Sequence, residues 1–259
     1  MTPETRQTHR IGSLDFRTVT SSGPGGTTFV LVHGIGMSHR YLARLHRSLA
    51  GRGRVISVDL PGFGGLPKPG HDVDIDGMAD GLGALLDAIG TGSVVLVGQS
   101  MGTQWVVELA ARRPDLARAV VLIGPVADER RRTVLQQAVL LTLDTVREPP
   151  GANALVFADY LRCGPFWYLA QLRHMLGYRI EDRIVQIEVP VLVMRGSRDP
   201  IASRNWCRHV RAAAQSAELV EIPGRVHNVQ HTAPGAVTSA IRHFCSVQLP
   251  ASAREGVSG

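Results

Sequence analysis

A serine, an aspartate and a histidine in this chain have the types that acyl-transfer chemistry needs. Ser100 lies in Gly98-Gln99-Ser100-Met101-Gly102, between an apolar run at 94–97 and a stretch of helical periodicity that Arg113-Pro114 stops. Four consecutive β-branched or leucine residues spell a strand buried on both faces. Only a sharp turn fits between that strand and the helix, and glycines on either side of the serine allow the two to pack closely. The hydroxyl is then held on a strained corner, as a nucleophile would be. A serine hydroxyl reacts poorly unless a base takes its proton and a third group orients the base. Asp199 follows an apolar run at 191–194, and His227 follows the last strand expected, at 218–222. Both are expected on loops at the same sheet edge as Ser100.

The elements that must position these groups alternate along the chain. Ile11, Leu14 and the run 16–19 read as an opening strand, and buried strands follow at 29–32, 55–58, 94–97 and 119–123. Helical patterns at 40–50 and 75–89, and after Ser100, separate them. Strand and helix in this alternation imply right-handed crossovers and a mostly parallel sheet covered on both faces. The alternation breaks at about 126 and resumes at about 190. Between these points the helical stretches 133–146, 152–161 and 166–176 imply an all-helical lid over 126–189, inserted in a core formed by 1–125 and 190–259. A last strand at 218–222 and a closing helix at 234–247 complete the reading.

Bulk properties narrow the function classes. The chain has 259 residues, 44% of them hydrophobic and 19% charged, which suits one large α/β domain rather than a disordered chain. The formal charge is +6, carried almost wholly by arginine, with Lys68 the one lysine. The arginines are scattered without aromatic interleaving, so solvated helix faces explain them better than a nucleic-acid surface. Cys163, Cys207 and Cys245 show neither disulfide nor zinc spacing. The polar first ten residues lack a signal-peptide core, and the apolar run at 133–143 is too short to span a bilayer. The expectation is a cytoplasmic protein with no membrane or nucleic-acid partner, a small-molecule substrate, and no metal or organic cofactor.

The chain resembles the α/β-hydrolase superfamily, in its lid-bearing branch of esterases, lactonases, cofactor-free haloperoxidases and C–C hydrolases. The resemblance rests on His33-Gly34-Ile35-Gly36, Asp59-Leu60-Pro61-Gly62-Phe63-Gly64, the pentapeptide around Ser100, Gly196-Ser197-Arg198-Asp199, and His227 with Pro234 beyond it. It implies an eight-stranded, mostly parallel sheet. It also implies Ser100 as nucleophile, His227 as general base and later acid, and Asp199 as the group that orients the imidazole. The oxyanion would be held by the backbone N–H groups of Ile35 and Met101. Gly34, Gln99, Phe157, Trp167, Tyr168 and Met175 are candidates for the substrate pocket, although core packing is the plainer reading for the lid side chains.

Other readings stand beside these. Asp199 could be a turn residue before Pro200, with Asp128 as the acid instead, and His231 lies close to His227 in sequence. His33 reads as a brace for the oxyanion loop, Asp59 as a structural turn residue. Arg162, Arg173 and Arg179 could meet a substrate carboxylate. Gln99, Thr232 and the loop Gly64-Gly65-Leu66, which lacks a serine many relatives place there, depart from the pattern and leave the subfamily open. A serine nucleophile argues against epoxide hydrolase or haloalkane dehalogenase chemistry, which needs a carboxylate there. The activity expected is hydrolysis of a small-to-medium apolar ester or lactone through an acyl-enzyme. Alternatives are C–C hydrolysis, acyl transfer or haloperoxidase chemistry on the same triad, or a ligand-sensing homologue with negligible turnover.

Overall fold

The computed structural model describes residues 3–136 and 150–249. Eight strands form one sheet: β1 (Thr5–Ile11), β2 (Leu14–Ser21), β3 (Thr28–Val32), β4 (Arg54–Asp59), β5 (Val94–Gln99), β6 (Ala117–Ile123), β7 (Val191–Gly196) and β8 (Ala217–Ile222). Their spatial order is β1-β2-β4-β3-β5-β6-β7-β8. β2 is antiparallel to both β1 and β4, and the pairings from β4 through β8 are parallel. Every residue of β5 and β7 is buried, as their unbroken apolar runs require.

Residue alternation divides the core into two layers. Val30, Val32, Leu96 and Leu122 face a layer that includes α2 (Ile75–Ala88), α3 (Gly102–Arg112) and α7 (Arg204–Ala213). Phe29, Leu31, Val95 and Val97 face the other, built largely from α1 (His39–Ala50) and α9 (Pro234–Gln248). Successive side chains of a strand point to opposite faces, so the same strands support both layers. Between β6 and β7 lie α4 (Pro150–Cys163), α5 (Pro165–Gly177) and the short α6 (Ile180–Arg183), all inserted on one side of the sheet order.

Two parts of the architecture differ from the sequence expectation. The opening is a hairpin of two strands, because β1 pairs with β2 along its whole length. Its residues are mostly exposed, so the apolar alternation that marks a strand is absent there. The helix α7 also carries little apolar signal beyond Trp206, Cys207 and Val210, its buried stripe amid arginines. Of the helix expected over 133–146, everything past Gln136 lies outside the described residues.

Candidate active site

Ser100 occupies the corner between β5 and α3 with φ of 55°, a left-handed conformation that costs a non-glycine residue about 1–2 kcal/mol. Three backbone bonds and a hydroxyl hold it there. Its N–H donates to the Ile123 carbonyl at 2.9 Å, and its carbonyl accepts from Thr103 N–H at 3.0 Å and from Thr103 Oγ1 at 2.6 Å. The N–H of Gln104 donates to the Met101 carbonyl at 2.9 Å, starting α3. A Cβ on Gly102 would stand 2.5 Å from the Val32 carbonyl oxygen, so helix and sheet meet at a distance only glycine permits.

The loop 33–36 leaves β3 immediately beside this corner. A Cβ on Gly34 would come within 2.8 Å of Ser100 Cβ and 2.9 Å of Gln99 Oε1. His33 braces the loop from beneath, fully buried. Its Nδ1–H donates to the Gly34 carbonyl at 2.8 Å, and its Nε2 accepts the Leu60 N–H at 3.2 Å. That pairing needs a neutral ring, and burial lowers the imidazole pKa in agreement. Among the described residues, neither Ile35 N–H nor Met101 N–H is given to a backbone carbonyl. Ile35 and Met101 are both buried, beside the half-buried Ser100.

Asp199 and His227 are brought together by two loops laced to each other. Arg198 N–H donates to the Arg225 carbonyl at 2.8 Å, and Gly224 N–H donates to Ser197 Oγ at 2.8 Å. Ser197 N–H donates to the Ile222 carbonyl at 2.9 Å. His227 Nδ1–H donates to Asp199 Oδ2 at 2.9 Å, and both side chains are buried. The other carboxylate oxygen accepts the N–H groups of Ile201 at 2.8 Å and Ala202 at 2.9 Å. With Nδ1 donating, a neutral His227 carries its lone pair on Nε2, the atom a general base uses.

Asp128 is committed elsewhere. It accepts from Ser203 Oγ at 3.1 Å and from Arg130 N–H at 3.1 Å. The ring of His231 stacks on Tyr41 at 5.7 Å, on the side of α1. Asp59 joins elements: it accepts from His39 N–H at 2.5 Å, His39 Nδ1 at 2.7 Å and Arg17 at 3.0 Å. Its burial would raise its pKa, but the His39 hydrogen bonds outweigh that and lower it.

Two positioning residues escaped the sequence reading. Gly124, at φ of 61°, abuts the pair: a Cβ there would lie 2.8 Å from His227 Cε1 and 3.5 Å from Asp199 Oδ2. Its only sequence signal was a glycine-proline step after β6. Arg195, buried at the end of β7, donates to the Ala202 carbonyl at 2.7 Å, the Asp199 carbonyl at 3.1 Å and Glu221 at 2.5 Å. Together with Arg204 it holds the Glu221 carboxyl down at about 2. A lone arginine after an apolar run gave no hint of this.

The inserted helices reach the same edge. Tyr160 and Tyr168, ring centroids 5.2 Å apart, lie over Gly36 of the loop 33–36, where a Cβ would meet Tyr160 at 2.5 Å and Tyr168 at 3.3 Å. Trp167 is buried against Phe63, with centroids 6.2 Å apart, and Met175 is buried with its carbonyl accepting from Gln104 at 2.9 Å. Phe157, by contrast, is 64% exposed. Arg162, Arg173 and Arg179 each pair with carboxylates of the protein itself, Asp159, Asp72 and Asp182. Among the described residues no helix is long and apolar enough to cross a membrane, and no cluster of metal-ligating side chains occurs.

Residues 27–144 match the model of the alpha/beta hydrolase fold. The chain is 28% identical to the dihydrolipoyllysine-residue acetyltransferase component of an acetoin cleaving system from Pseudomonas putida, over 92% of this chain and 68% of that one. Among solved structures it is similar to the enol-lactonase of Burkholderia xenovorans LB400, with TM-score 0.80 and 20% identity over 93% of this chain and all of the other. It is also similar to a thermophilic esterase from Thermogutta terrifontis, with TM-score 0.78 and 22% identity over 95% and 98% of the two chains. The matched model and the shared sheet give this chain the alpha/beta hydrolase fold, and the fold together with hydrolase-named homologues supports a hydrolase enzyme.

Proposed function

We propose that the protein hydrolyses small-to-medium apolar carboxylic esters or lactones through an acyl-enzyme on Ser100. The observation that carries this reading is the strained serine at φ of 55° on the same sheet edge as the buried His227–Asp199 pair. In the first step Ser100 Oγ bonds to the acyl carbon while its proton passes to His227 Nε2. The carbonyl oxygen takes the electron pair and lies against the N–H groups of Ile35 and Met101, an arrangement of backbone donors worth about 3 kcal/mol each to the transition state. Asp199 accepts the Nδ1 proton's hydrogen bond throughout and stabilises the imidazolium without taking the proton.

Collapse of the tetrahedral intermediate breaks the bond to the leaving alcohol, which receives the proton from Nε2. Water then attacks the acyl-enzyme, giving its proton to His227, and the acid leaves as Ser100 regains its hydrogen. The helices 150–183 act as a lid whose tyrosines roof the oxyanion loop, favouring an apolar acyl group and excluding bulk water. An esterase and an enol-lactonase among the structural neighbours support this substrate class.

Labelling with a fluorophosphonate probe tests the nucleophile. Wild-type protein is expected to label and Ser100→Ala to remain unlabelled with unchanged circular dichroism, whereas equal labelling of both would overturn the assignment. A panel of short p-nitrophenyl esters, lactones and a vinylogous diketone then separates ester from lactone and C–C hydrolysis.

A further inference from the structure

A cavity of about 250 Å³ lies on the face of the sheet that α1 covers. Strand register builds one wall: Arg6 of β1 stands opposite Val19 of β2, which stands opposite Ser57 of β4, so all three point to one face. The other wall is a stripe of α1 that carries Arg40 and Arg47, two turns apart. None of these residues belongs to the loops of Ser100, Asp199 or His227. Three guanidinium groups against the one carboxylate of Glu4 leave a local charge of +2, from three positive and one negative. Among the described residues neither Arg6 nor Arg47 has an ion-pair partner, and Arg40 reaches Asp159 only at 3.8 Å.

A second observation concerns hydrogen bonding. His39 forms part of the cavity wall, and its side chain is nine-tenths buried. Its Nδ1 is committed to Asp59 at 2.7 Å, while its Nε2 has no hydrogen-bond partner among the described residues. Buried polar atoms are rarely left unmatched. The volume is below that of pockets for drug-sized ligands and suits a small ion or its ester.

We propose that this cavity is a binding site for a phosphate group, as free phosphate or as a small phosphomonoester. Guanidinium forks match phosphate oxygens in charge and geometry. A phosphate near neutral pH carries about −1.5 to −2 of charge on its acceptor oxygens, which matches the local charge that Arg6, Arg40, Arg47 and Glu4 leave around the cavity.

The test titrates wild-type protein with inorganic phosphate and, separately, with glycerol 1-phosphate, by calorimetry and by thermal unfolding, against potassium chloride at matched ionic strength. Saturable binding is expected, with Tm raised by about 3 °C at ten times Kd. Arg6→Ala and Arg47→Ala, both at exposed positions, should each weaken binding at least tenfold while esterase activity without phosphate is unchanged. Equal or tighter binding of glycerol 1-phosphate would identify the phosphomonoester as the ligand, and binding of phosphate alone would identify the free ion. No saturable binding by wild type, or binding equal in the arginine variants, would overturn the proposal.

Discussion

The two sides of the candidate reaction centre are held by different forces. Below it, the Ser100 corner and the Asp199 and His227 loops are fixed by backbone hydrogen bonds and by contacts that exclude any side chain, at Gly102, Gly34 and Gly124. Above it, the inserted helices are tied by side chains: Ser38 Oγ to Asp159 at 2.6 Å, Gln171 to the Val73 carbonyl at 2.8 Å, Lys68 to the Arg162 carbonyl at 2.8 Å. They also keep apolar side chains in solvent, with Phe166 89% exposed. Backbone ties are hard to lose by substitution. Side-chain ties are individually worth about 1 kcal/mol, so the upper side is the easier one to loosen by substitution.

The sharpest way to break this contrast is in the lower side. Asp199→Asn should lower kcat/KM on an ester substrate by about 10⁴-fold, because the imidazole loses its orienting acceptor. Asp128→Asn should cost less than about tenfold, since its carboxylate serves Ser203 and Arg130. Steady-state kinetics on the two variants decide the matter, and the reverse ranking would reassign the acid. Gly124→Ala comes next. Its methyl group would press on His227, and about a hundredfold loss of kcat with a small change in KM is expected, checked by kinetics beside an unchanged fold.

A third prediction tests whether burial alone, away from both sides, shapes the pH response. His46 sits between Ser57 Oγ at 2.8 Å and Ser21 Oγ at 3.0 Å, and burial holds its pKa down to about 4, with Arg47 and His39 adding to the effect and Glu4 opposing it. In the unfolded chain the imidazole takes its proton near 6.5. Between those values the unfolded state binds more protons, so stability is full above about pH 6.5 and falls by about 3 kcal/mol as the pH drops to 4. Urea unfolding across that window should show the decline, and His46→Gln should flatten it. The smallest effect is expected at the upper side. Ser38→Ala removes the tie to Asp159 together with the N-cap bond that Ser38 Oγ accepts from Arg40 N–H, and should cost about 1–2 kcal/mol, raising KM more than it lowers kcat.

Legibility followed the same division. The apolar runs of β3 to β7, the corner at Ser100 and the order of Ser100, Asp199 and His227 could all be read, because burial on two faces writes itself into consecutive residues. The strand β1 could not, since its polar residues lie at an exposed edge. Nor could the role of Gly124, whose partners are far along the chain, or of Arg195, whose acceptors meet it only once the loop after β7 folds back and β8 pairs beside it. Among the pocket candidates, Gly34 and Gln99 adjoin the serine, Tyr168 lies against Gly36, and Phe157 lies largely in solvent.

By itself the sequence determined the parallel sheet, its helical insertion and the chemical types carried at the strand ends, because periodicity and local turn chemistry need only near neighbours. Tertiary structure decided which carboxylate meets His227 and which tyrosines cover Gly36. It also decided that Arg6, Arg40 and Arg47 surround one cavity. Those outcomes depend on strand register and on loops crossing between β7 and β8, and no stretch of chain short enough to read alone contains both partners.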